Sequence, residues 1–127
     1  MQQESDPSAD RVLTAEERHL LRWMLEHGGP EAEPHLSRVA DVRVTDRRCP
    51  CGCASIHFRV PGHDGPSGGI RPVADFVFGE GEEVSGAFVY VQSGRLGGIE
   101  VYGLGGDAPK TLPRPEQLRP FRDPPAT

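Results

Sequence analysis

Three cysteines fall within five residues, Cys49-Pro50-Cys51-Gly52-Cys53, and His57 follows them closely. Thiolates are the soft ligands that zinc and copper(I) take, and imidazole adds a borderline nitrogen. In an extended backbone, side-chain alternation points Cys49, Cys51, Cys53 and His57 to one side. Pro50 and Gly52 instead favour a turn, which also gathers thiols around an ion. The expected metal set is therefore Cys49, Cys51, Cys53 and His57, with zinc or copper as the ion. Structural zinc sites usually pair two separated knuckles, each with two or more residues between its cysteines, and here there is one tight group. The competing reading is a hairpin turn whose cysteines pack as small, half-buried hydrophobes.

A nucleophilic cysteine would need a base such as His57 or His63 and an orienting acid such as Asp64. The Cys-x-Cys spacing is not the redox Cys-x-x-Cys, and no signature joins these groups, so no residue is assigned a catalytic role. His63-Asp64 falls in residues 61–69, a run rich in Gly and Pro that reads as a surface loop. The pairs Gly68-Gly69, Gly97-Gly98 and Gly105-Gly106 match no phosphate-cradling pattern and read as turn and bulge residues. Glu100 stands between Ile99 and Val101 in a strand pattern, on the face shared with Gly98 and Tyr102. It reads as a solvent-facing or edge charge that discourages wrong pairing. Trp23, within a helical pattern, reads as a core or interface aromatic.

Leu13-Thr14-Ala15-Glu16-Glu17 contains the capping-box spacing Thr-x-x-Glu, so a helix is expected to open there. Leu20, Leu21, Met24 and Leu25 recur at helical spacing, and Gly28-Gly29-Pro30 supplies a left-handed cap and a stop, giving a helix over residues 15–27. A second helical run covers residues 34–40, with Pro34 in its first turn. From Asp41 the apolar period becomes two. Val42 and Val44 form one expected strand, and Ala54, Ile56, Phe58 and Val60 another, with Cys53, Ser55, His57 and Arg59 on the opposite, outward face. Three more strands are expected at residues 73–78, 87–92 and 96–102, the last two joined as a hairpin through Ser93-Gly94.

The fold expected from these elements is α+β: one N-terminal helix, or two, packed on a mainly antiparallel sheet of about five strands. Phe88 and Tyr90 belong to one face of the sheet and Val89 and Val91 to the other, the pattern of strands covered on both sides. One helical layer covers one face, so residues 112–121 or a second subunit are expected to cover the other. Residues 1–12 read as a flexible arm, residues 13–121 as a single domain and residues 122–127 as a fraying tail.

A net charge of −5, with no basic run longer than Arg47-Arg48, argues against a phosphate-binding surface, so nucleic acid is not an expected partner. The N-terminus is polar and acidic, unlike a signal peptide, and no apolar run approaches the ~20 residues of a membrane span. No membrane association is expected, and the cytoplasm is the expected compartment, where stable disulfides are disfavoured. Thirteen of the 14 basic residues are Arg, Lys110 being the exception, and Gly and Pro are abundant, as in proteins of bacteria with G- and C-rich genomes.

The Leu-Thr-Ala-Glu-Glu-Arg helix start, the Cys49-to-Ser55 turn and the late Gly94-Arg95-Leu96-Gly97-Gly98-Ile99-Glu100-Val101-Tyr102 segment together resemble a group of small actinobacterial proteins. The resemblance implies a bacterial origin and one fold across most of the chain, and it carries no catalytic role. The expected function is a non-catalytic interaction or regulatory module that binds a protein partner or forms a homodimer. The alternatives are a thiolate metal-binding protein and an immunity-type protein that neutralises a basic effector through charge complementarity. An enzyme is the third reading.

Overall fold

The computed structural model describes residues 9–46, 52–60 and 70–120. Helix α1 spans Ala15–His27, and its capping box is complete. The Thr14 hydroxyl accepts from the Glu17 amide at 3.0 Å, and the Glu17 carboxylate accepts from the Thr14 amide at 2.9 Å. Arg11 donates to both oxygens of the same carboxylate, at 2.8 and 2.9 Å. Gly28 caps the C-terminus and Gly29 takes the left-handed conformation, φ +102°. A Cβ at Gly28 would lie 2.6 Å from the Ala74 Cβ, so the close approach of this helix end to the sheet requires glycine.

The second expected helix forms as a 3-10 helix, Glu33–Asp41, with Pro34 in its first turn and Val39 buried. The sheet has five strands: β1 (Ile56–His57), β2 (Ile70–Phe78), β3 (Ser85–Gln92), β4 (Arg95–Gly103) and β5 (Arg119–Pro120). All pairs are antiparallel, in the order β1-β4-β3-β2-β5. The α+β architecture is therefore as expected, with α1 at the N-terminal side of the sheet.

Two strand assignments differ. Residues 42–45 form no strand. Val42 and Val44 are buried, as their alternation requires, but Val44 makes only isolated bridges to Arg11 and Phe58. The expected strand over residues 54–60 contracts to Ile56–His57, with a bend at Ala54. The fifth strand instead comes from Arg119–Pro120, which pairs with β2 opposite Phe76 and Val77 and is too short to show a periodicity in sequence.

The core lies between the sheet and its helical layer. Leu20, Leu21, Met24 and Leu25 of α1 pack with Ala74, Phe76, Ala87, Val89, Ile99 and Val101 of β2, β3 and β4. Trp23 stacks on His27 with ring centroids 4.1 Å apart and touches Phe76, sealing the rim. The C-terminal segment joins this same layer: Pro109 accepts from the Ala54 amide, Leu112 packs against the core and Leu118 lies within it. Leu112 and Leu118 are thus spent on the helix side, which corrects the expectation that residues 112–121 cover the second face. Among the described residues no helix is long and apolar enough to cross a membrane.

Candidate functional site

Of the four residues expected to hold a metal, Cys49 and Cys51 lie outside the described residues. Cys53 and His57 are described, and among the described residues their side-chain hydrogen bonds go to different partners. The Cys53 thiol donates to the Ser55 hydroxyl at 3.2 Å and packs beside the helix-side core. The Ser55 Oγ accepts from the Val101 amide at 2.9 Å, tying the approach to β1 onto β4. His57, paired with Gly98 across β1 and β4, points to the second sheet face and shares a 2.8 Å hydrogen bond with the Tyr90 hydroxyl.

The outward face expected for Cys53, Ser55, His57 and Arg59 is not outward. Ser55 is 7% exposed and His57 6%, and Arg59 is half-buried in a bidentate pair with Asp10 at 2.8 and 2.9 Å. The bend at Ala54 breaks the alternation that would have aligned Cys53 with His57. Among the described residues, no three His, Cys, Asp or Glu side chains are grouped as metal ligands. His63 and Asp64 fall outside the described residues.

Cys53 lines a cleft of about 1180 Å³ between the start of α1, residues 52–56 and residues 110–116. Its walls mix Arg11, Lys110 and Arg114 with Glu16, Glu17, Asp46 and Glu116, so it presents no dominant charge. Arg11 and Glu17 neutralise each other there. The hydrogen bond from Arg11 holds the Glu17 carboxyl below the usual range, and the same bond raises the Arg11 pKa.

The second face of the sheet is more distinctive. Strand register places Asp75, Phe88 and Glu100 side by side across β2, β3 and β4, with Val77, Gly86 and Tyr102 in the next row and Tyr90, Gly98 and His57 on the other side. A Cβ at Gly86 would collide with the Tyr102 ring, so the ring covers the β3 backbone at that glycine. Tyr90 lies in the same way across Gly97 and Gly98. This pairing of a strand glycine with a cross-strand aromatic shields the backbone and pins the register. Phe88 stands between the two tyrosines, its ring centroid 6.2 Å from that of Tyr90 in an edge-to-face contact and 5.9 Å from that of Tyr102 in a tilted one.

Tyr90 is buried, whereas Phe88, Tyr102 and Val77 are half-buried. Glu100 is not an edge charge, because β4 lies between β1 and β3. Its Oε2 is buried and, among the described residues, has no hydrogen-bond partner. Asp75 reaches solvent, yet desolvation against this surface raises its pKa. The Tyr102 phenol is raised too, by burial first and then by the Asp75 charge. The sequence marked this face through Phe88, Tyr90 and Glu100. What it did not mark is that Asp75 joins them, because that follows from the register of β2 on β3 and from the bulge between Pro72 and Ala74.

No protein-family model, no curated protein and no solved structure matches this chain.

Proposed function

We propose that this protein is a non-catalytic interaction module, acting in the bacterial cytoplasm, that docks a protein partner on the second face of its sheet. The observation that carries this reading is the half-buried Phe88 and Tyr102 beside a Glu100 carboxylate oxygen that is buried and, among the described residues, accepts no hydrogen bond. Leaving such an acceptor unsatisfied costs about 1–3 kcal/mol, so an orphan retained beside two half-buried aromatics marks this face as shaped by something other than stability. Half-exposed aromatics at the centre of a patch are the side chains on which interface energy concentrates. The test is capture of partners from the cells that make the protein, with wild type and Phe88→Ala run in parallel. A stoichiometric partner that Phe88→Ala loses supports the reading. A partner retained by Phe88→Ala, or none captured by the wild type, counts against it.

A second reading, thiolate metal binding through Cys49, Cys51 and Cys53, is favoured by one observation: Cys53 is half-buried on the wall of the cleft rather than packed wholly inside. Metal analysis of untagged protein decides it. Stoichiometric zinc or copper lost in Cys51→Ser and Cys53→Ser supports it, and sub-stoichiometric metal removes it.

A further inference from the structure

We propose that the second sheet face binds a cationic side chain, the guanidinium or ammonium of a basic segment in the partner, seated against the half-buried Tyr102 ring and flanked by Asp75 and Glu100. This deepens the interaction reading and rests on it. A cation over a tyrosine ring is attracted by the ring quadrupole, and an aromatic wall with carboxylates beside it is the chemistry that recognises such groups. The elements of that chemistry are adjacent here. The Tyr102 ring lies over Gly86, the Phe88 ring centroid stands 5.9 Å away as a wall, and the two carboxylates occupy the row of Phe88 on either side.

Charge selects this occupant over an apolar one. Neither Asp75 nor Glu100 is paired with a Lys or Arg among the described residues. The connection from β2 to β3, beyond the Val77–Tyr102 row, adds exposed Glu80, Glu82 and Glu83, and the whole chain carries −5. Arg119 sits opposite Val77 at the β5 edge, and its guanidinium donates to the Gly79 carbonyl at 2.8 Å. A second copy of the chain is a poor occupant. A two-fold contact through this face would bring Asp75 and Glu100 against their own equivalents. A basic segment would instead set its charge beside the exposed Asp75 and the half-buried Glu100.

The experiment is an NMR titration of the full chain with tetra-arginine amide, with tetra-citrulline amide as the uncharged control. The expected result is saturable shifts of the Tyr102 and Phe88 ring resonances with the arginine peptide alone, weakening as salt is added. Tyr102→Phe keeps the binding, because it keeps the ring. Tyr102→Leu weakens it by about two- to five-fold, as loss of an exposed cation–π contact implies, and Glu100→Gln weakens it as well. Spectral dispersion in each variant verifies that it is folded. Equal shifts with citrulline, shifts confined to other residues, or binding unchanged in folded Tyr102→Leu would overturn the proposal. So would self-association that Tyr102→Leu abolishes, which would assign the face to a second copy. The two readings fail separately: a partner lost in Phe88→Ala with no response to tetra-arginine leaves the interaction module and removes the cation, while the peptide response without any captured partner does the reverse.

Discussion

At the scale of single residues, the buried polar groups divide into those that are satisfied and those that are not. Ser55 is satisfied: its hydroxyl accepts from the Val101 amide and receives the Cys53 thiol. Ser55→Ala would leave a buried amide without an acceptor and is predicted to cost about 1–3 kcal/mol in a denaturant titration; a loss near zero would show that the bond has little weight. Asp75 reaches solvent, yet its surroundings act in the opposite sense. Its pKa is raised on folding by desolvation, so the native state holds the proton more tightly than the unfolded chain. The associated stability is fully present below the ordinary carboxylate range and is lost as pH rises through the raised native value. Asp75→Asn is therefore predicted to be more stable than wild type at neutral pH, with the gap closing as the solution is acidified. A variant that is less stable by the same amount at both ends of the range would contradict this. The metal expectation also belongs to this scale. Two of its four ligands lie outside the described residues, and Cys53 and His57 face different surroundings.

Secondary-structure elements show where sequence reasoning worked and where it stopped. The α1 boundaries were legible, because the capping box, the helical spacing of Leu20, Leu21, Met24 and Leu25, and the Gly28-Gly29-Pro30 stop all act locally. Thr14→Ala is predicted to cost about 1 kcal/mol in thermal or denaturant unfolding. An unchanged midpoint would mean that Arg11 and Glu17 hold the helix start alone. The Glu17 carboxyl is held low, chiefly by Arg11, so its stabilisation is present above the ordinary carboxylate range and is lost as pH falls through the lowered native value. Strands β2, β3 and β4 were legible from alternation. Residues 42–45 were misread because alternation reports burial, and Val42 and Val44 are buried without belonging to a ladder. Strand β5 was invisible, since two residues carry no period and its pairing is set by where the preceding Leu118 anchors in the core.

At the scale of the whole molecule, the two sheet faces have different tasks. One is closed by α1, the 3-10 helix and the C-terminal segment around Leu118, and it holds the fold together. The other carries Phe88 and Tyr102 half-buried between Asp75 and Glu100. The sequence indicated that a second face existed and that something must cover it. Of the two coverings it offered, residues 112–121 or a second subunit, the structure turns Leu112 and Leu118 of the first to the helix side, because both are apolar enough for either side and only the three-dimensional path of the chain decides between them. The cysteine turn and its cleft remain the competing location for function. The measurement that separates the two is photo-crosslinking in the cells that make the protein, with p-benzoylphenylalanine placed either at Phe88 or at Thr111 in the cleft wall. The account predicts a discrete adduct to another protein from position 88 and none from position 111; an adduct formed only from position 111 would contradict it.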